Sequence, residues 1–321
     1  MILASSGARA RAPFFGSAML TVAASVALVA CGGGGGGGGI GDNDFTAPTA
    51  STNSGSTPSS PSTPAAPPVR NLAPGAELPP TLDAAQAGST VLTGDDKQGI
   101  YRNAGGYTFV SSQGRLIYKD SRQWIFGSIE VTDSNWKFRV PTASRDSVLN
   151  SFDLVTGSGR IEPRKSMSGL YTKDGETIPA PLSFLEYDAA NALAVTQEAM
   201  TGKWSTTAVD GLEMSIDVDA SGTLTGRTTG FSLGRCDLRG TVLQTEAGTS
   251  RNLFNVDFMV TNAASGSEKP CFVPDGRTFT GLGGVVMVPA SVFAEEGAYR
   301  TFYFHSATET FAVLTNGLRK Q

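Results

Sequence analysis

The chain has 321 residues, 29 acidic and 25 basic side chains and a net charge of −4, so it offers no basic surface to nucleic acid or to an anionic membrane. Apolar and aromatic residues make up 40%, enough for a core, but 39 glycines and 17 prolines work against long helices. The chain has one histidine and three cysteines, and with Cys31 set apart the two cysteines and one distant histidine that remain do not make a four-ligand zinc site.

Arg9 and Arg11 open the chain, and from Pro13 to Ala30 there is no charge. Residues 19–30 are mostly apolar, a run too short to span a membrane comfortably, and the whole has the pattern of a signal peptide over residues 1–30. Its removal takes the net charge from −4 to −6. Leu28-Val29-Ala30-Cys31 resembles the lipobox of bacterial lipoproteins, with a branched residue, a small residue last and then cysteine. The resemblance covers the first 31 residues. It implies a diacylglycerol on the Cys31 thiol, cleavage after Ala30 and acylation of the new amino group, which together hold a protein stably at a membrane. A plain secretory leader and a retained span are the alternatives. Gly32 stands where an Asp accompanies inner-membrane retention in such lipoproteins. The resemblance therefore implies the outer membrane, with its periplasmic side and the cell surface both open.

Residues 31–95 read as the lipidated cysteine and a disordered tether. Gly32–Gly39 is unbroken glycine, and the rest is rich in Ser, Thr, Ala and Pro with few large apolar groups to offset the entropy of ordering. As a coil of roughly 60 residues it has a span of about 45 Å. Polyglycine behind the cysteine is similar to the tether of some surface-displayed Gram-negative lipoproteins.

From about Gly99 aromatic and aliphatic residues take period-two spacing, with turn residues at short intervals. This predicts a mainly β fold of small antiparallel barrel or sandwich units in two lobes. The first lobe covers residues 96–187. Tyr107 and Phe109, Leu116 and Tyr118, Trp124 and Phe126, and Trp136, Phe138 and Val140 mark its strands. Pro141 is expected to end a strand, because it cannot donate to a ladder. Residues 142–151 are the short-helix candidate, and Thr156-Gly157-Ser158-Gly159 reads as a turn. Residues 188–201, rich in alanine, read as a helical connector.

The second lobe covers residues 202–321. Leu212, Met214, Ile216 and Val218 alternate with Glu213, Ser215, Asp217 and Asp219 ahead of an Ala220-Ser221-Gly222 turn. This is the most regular hairpin in the chain. Gly281, Gly283 and Gly284 predict a bulge or a close backbone approach. Gly99-Ile100-Tyr101 and Gly202-Lys203-Trp204 open the two lobes alike, either by internal duplication or because such starts are common. Gly202-Lys203-Trp204-Ser205, the Asp219–Gly226 hairpin and the two cysteines after it resemble a β module of proteobacterial lipoproteins. The small barrels of transferrin-binding-protein-like surface lipoproteins are similar. Neither resemblance carries a catalytic site onto these positions.

With Cys31 assigned to lipid, Cys236 and Cys271 remain as an even pair in an oxidising compartment and are expected to form one disulfide. Asp217, Asp219 and Ser221, with Gly222, match the first half of a calcium loop, but position twelve is Thr228 rather than Glu, so a plain hairpin turn is the main reading. His305 is expected as a partly exposed strand residue. A hydrolase built on it would need a Gly-x-Ser-x-Gly elbow that the sequence lacks. The three tryptophans read as core anchors rather than sugar platforms. No cofactor, metal or catalytic residue is assigned. The expected function is a non-enzymatic, lipid-anchored binding or structural module, with the membrane and a protein, glycan or small molecule as partners. A surface adhesin or ligand-capture protein is the alternative, and a hydrolase the remote one.

Overall fold

Alternation of apolar and polar residues along sixteen strands gives two closed antiparallel barrels of eight strands each. The structure is a computed structural model that describes residues 72–146, 151–206, 212–230, 234–264, 269–273, 276–290, 297–309 and 313–321. These belong to one compact unit. Cys31, the leader and the first part of the tether lie outside the described residues.

The first barrel contains β1 (Gly99–Asn103), β2 (Gly106–Val110), β3 (Arg115–Lys119), β4 (Gln123–Thr132), β5 (Asn135–Asp146), β6 (Phe152–Glu162), β7 (Ser166–Lys173) and β8 (Ala180–Tyr187). Each strand pairs with the next, and β8 closes on β1 through Tyr101 opposite Tyr187. Tyr101, Leu116, Tyr118, Ile125, Trp136 and Met167 are among the side chains that fill it. The second barrel contains β9 (Gly202–Ser205), β10 (Leu212–Val218), β11 (Thr223–Gly230), β12 (Cys236–Gln244), β13 (Phe254–Asn262), β14 (Arg277–Pro289), β15 (Ala298–Ala307) and β16 (Val313–Lys320). It closes where β16 meets β9, with Lys320 opposite Trp204. Trp204, Met214, Val242, Phe254, Phe258 and Phe302 lie in its core. Along β10, Met214, Ile216 and Val218 point inward while Glu213, Ser215 and Asp217 face water. The apolar face is thus inside, the reverse of a lipid-facing barrel.

The mainly β, two-lobed expectation stands, and both lobes are barrels. Each opens on the glycine–x–aromatic segment, with Gly99 at φ 156° and Gly202 at φ 112°, and Tyr101 and Trp204 enter their own cores.

Several local expectations are corrected. Pro141 does not end β5: the ladder to β6 breaks between Lys137 and Ala143, Val140 bulges into solvent at 80% exposure, and the strand resumes. A residue without an N–H is tolerated at such a bulge. Residues 142–146 therefore continue the strand rather than start a helix; 147–150 lie outside the described residues. Thr156–Gly159 is the middle of β6, where each glycine admits a crossing neighbour; a Cβ on Gly159 would lie 2.0 Å from the Ser168 carbonyl oxygen. The connector forms two short 3-10 helices, Ala189–Ala192 and Glu198–Met200. Cys236 is the first residue of β12.

Residues 72–95 were expected as the end of the tether. They instead run along the barrels as a strap with a 3-10 turn at Leu82–Ala84 and a single α-turn at Thr90–Thr93. Leu82 and Val91 pack on the first barrel's core. Glu77 forms an isolated bridge with Ala298 and pairs with Arg300. Gln86 donates its N–H to the Ala192 carbonyl, and its side-chain oxygen accepts from the Ala194 N–H at 2.8 Å. Hydrogen bonds with the folded body, together with two apolar contacts, offset the ordering entropy that composition alone could not.

Candidate functional site

Side chains on the outside of a water-facing barrel should be polar. Along one seam they are not. Ile100, Phe109 and Ile117 on β1 to β3 form one buried cluster with Leu282 and Val286 on β14, Ala190 and Leu253, and Tyr107, Phe126 and Tyr303 pack against it. The two barrels meet here wall to wall. Gly284 permits the approach, since a Cβ there would lie 2.5 Å from Ile100 Cδ1. The close backbone approach expected of this glycine run is found at Gly281, where a Cβ would lie 2.1 Å from the His305 carbonyl oxygen within the second barrel; at Gly284 the space is taken by the Ile100 side chain of the first.

Polar groups in the seam are paired. His305 Nε2 donates to the Tyr107 carbonyl oxygen at 2.8 Å, and the Phe109 and Tyr303 rings flank the imidazole, each with its centroid 5.5 Å away. Burial pushes its pKa down to about 3; the Tyr107 carbonyl opposes this and Lys119 adds to it. His305 is fully buried, which corrects the expectation of a partly exposed residue. Two buried asparagines act as surrogate strand partners. Asn191 accepts from the Ile100 N–H at 2.8 Å and donates to the Ile100 carbonyl at 2.7 Å. Asn252 does the same for Val285, at 2.7 and 2.6 Å, and also donates to the Ala190 carbonyl at 2.9 Å. Its backbone N–H donates to Thr90 Oγ1 of the strap at 2.9 Å.

Beyond the seam the walls part into a cleft of about 490 Å³. Ile117 and Phe126 line it on the first barrel, and Arg277, Thr278, Thr280 and Thr308 on the second. Arg115, at the start of β3, reaches across and donates from Nη1 to Asn255 Oδ1 at 3.2 Å. Register places Asn255 opposite Leu282 and Asp257 opposite Thr280, so both carboxamide and carboxylate belong to the same outer face as the cleft wall. Burial pulls the Arg115 guanidinium below its usual range, with Asp257 opposing; burial raises the Asp257 carboxyl, with Arg115 opposing. Among the described residues no carboxylate lies within 4.0 Å of Arg115. The cleft thus combines a poorly solvated cation, threonine hydroxyls and an apolar wall.

The other expected site residues lie elsewhere. Cys236 and Cys271 are bonded, with Cα atoms 5.0 Å apart, and tie the start of β12 to the 269–273 segment. Asp219 and Ser221 meet in the β10–β11 turn, where Asp219 Oδ1 accepts from Ser221 N, Ser221 Oγ and Thr223 N. These hydrogen bonds, that of the Ser221 hydroxyl first, hold its carboxyl below the usual range. Asp217 stands on the strand opposite Lys203 and Thr225. The geometry is that of the hairpin turn, and no group of three or more metal-ligating acidic, His or Cys side chains occurs among the described residues. Trp136 and Trp204 are buried, whereas Trp124 is half-buried beneath the Lys119 ammonium.

Sequence reading missed Arg115, Asn191, Asn252 and Asn255. A lone asparagine inside the alanine-rich connector was a usable sign for Asn191; the other three carry no periodic or motif signal.

No family model, curated protein or solved structure matches this chain.

Proposed function

We propose that this chain is a lipid-anchored envelope lipoprotein whose two barrels serve as a non-enzymatic binding module. The observation that carries the reading is the apolar leader ending in Leu28-Val29-Ala30-Cys31. Large side chains such as Trp136, Tyr118 and Phe302 fill the barrels, which supports a reading in which the outer surfaces and the cleft between them are the places for a ligand. The place of the single histidine, buried in the seam on the Tyr107 carbonyl, supports the non-enzymatic reading. Radiolabelled palmitate should enter the protein in cells and fail to enter a Cys31→Ala variant. Label that persists in the variant, or never enters the parent, sinks the anchor.

Surface display as an adhesin or ligand-capture protein is the second reading, favoured by Gly32–Gly39 behind the cysteine. Protease added to intact cells should remove the barrels if they face outward and spare them if they face the periplasm.

A further inference from the structure

We propose that the cleft between the barrels binds a small organic anion with an apolar body, its acidic head on Arg115 and its body against Phe126. This deepens the reading of the folded part as a binding module and makes no use of the anchor.

The argument starts from the guanidinium. An arginine presents five N–H donors in a rigid fork suited to a planar or tetrahedral anion. Asn255 takes one of these on Arg115 through a neutral oxygen at 3.2 Å, which holds the fork in place without neutralising it. The guanidinium is half-buried, has no carboxylate in contact among the described residues and is offset at longer range by Asp257, so an incoming anion that reaches the fork gains a charge-assisted contact. Thr278 and Thr280, both exposed, add hydroxyls that serve as donors or acceptors. Arg277 stands at the rim and adds a second positive charge, against Glu309 on the same lining.

The apolar part of the site follows from the fold. Ile117 and Phe126 point out of the first barrel because they belong to the seam's outward row. At the margin of the seam Phe126 is half-buried and keeps part of its ring toward the cleft, whereas Ile117 is buried against the second barrel and lines the cleft from within the seam. A fully hydrated inorganic ion would leave this wall unused, whereas an aromatic or aliphatic body would cover it. The volume, about 490 Å³, falls in the range of small-molecule sites.

The test uses the full chain and 8-anilinonaphthalene-1-sulfonate, an organic anion whose fluorescence rises on apolar contact. Saturable binding is expected, displaced by benzoate and unaffected by benzyl alcohol, which has a similar ring and no charge. Arg115→Gln should weaken binding about tenfold or more with the thermal transition retained. Because that change also removes the contact to Asn255, Thr280→Glu provides an independent arm. It puts a negative charge on the exposed cleft wall, leaves Arg115 in place and should weaken binding to a similar degree. Phe184→Ser, on an exposed apolar part of the first barrel, should change nothing. The inference is overturned if the probe does not bind, if benzyl alcohol competes as well as benzoate, if Thr280→Glu leaves affinity unchanged, or if Phe184→Ser abolishes the signal. Palmitate incorporation persisting alongside any of these results would show that the cleft assignment had failed and the anchor had not.

Discussion

His305 Nε2 donates across the seam to the carbonyl oxygen of Tyr107 at 2.8 Å, joining a strand of the second barrel to one of the first. The imidazole is fully buried and neutral, with its pKa pushed down to about 3 chiefly by burial. In the unfolded chain it titrates near its ordinary value of 6.5. The folded state therefore binds fewer protons than the unfolded state between these values. Stability is unaffected by this group above about pH 6.5 and falls as pH drops below it, by up to about 1.4 kcal/mol per unit. Denaturant titration of the parent from pH 7 to pH 4 should show this acid limb. His305→Gln, which keeps a donor for Tyr107, should show a shallower one. Equal slopes in the two proteins would contradict the assignment.

Asn252 satisfies both backbone groups of Val285 and the carbonyl of Ala190 from a position with no solvent exposure. Replacing it with alanine leaves three buried backbone groups without this partner, each costing about 1–3 kcal/mol. Asn252→Ala should lower stability by about 3 kcal/mol or more in urea titration. An exposed control such as Asn135→Ala should stay within about 0.5 kcal/mol of the parent. Asn191→Ala should resemble Asn252→Ala, because it strips Ile100 of the same pair of contacts.

The Cys236–Cys271 bridge has a sequence separation of 35 residues and carries one buried and one half-buried cysteine. Closing a loop of this size in the unfolded chain is worth about 3–4 kcal/mol on the chain-entropy model. Reduction, or a Cys236→Ala and Cys271→Ala double variant, should lower the urea midpoint accordingly. Loss of well under 1 kcal/mol would mean that the reduced chain keeps the 269–273 segment in place by other contacts.

A chain starting at residue 66 retains the strap, and one starting at residue 96 lacks it. The shorter chain loses Leu82, Val91 and the buried Thr90, along with the Glu77–Arg300 pair. Its melting temperature should fall by several degrees or more, while the longer chain should melt with the full-length protein. Equal melting of all three would return residues 72–95 to the tether.

These features were unequally legible in the sequence. Period-two alternation in β10 and β13 is a local property, so the strands and the mainly β class could be read directly. The disulfide followed from cysteine arithmetic. Pro141 misled, because the rule that it ends a strand holds for an unbroken ladder and β5 has a bulge. Residues 156–159 misled in the opposite direction: glycines that look like turn residues serve a close strand crossing in β6. The strap was hidden because its stability comes from hydrogen bonds with distant residues such as Ala192, Asn252 and Ala298, which leave no trace in composition. The seam was hidden in a different way. Ile100, Ile117 and Leu282 are apolar residues on the outward side of their strands, and alternation cannot show which outward face meets another barrel. Arg115 belongs to the same class, since its partner is 140 residues away in sequence.

The proposed lipid on Cys31 would hold these barrels at the membrane, and the intact mass of the protein extracted from membranes shows whether it is there. The expected mass is that of a chain that begins at Cys31, lacks residues 1–30 and carries a diacylglycerol thioether with an acylated amino terminus. A chain that retains the leader, or one cleaved with a free Cys31 thiol, would contradict it.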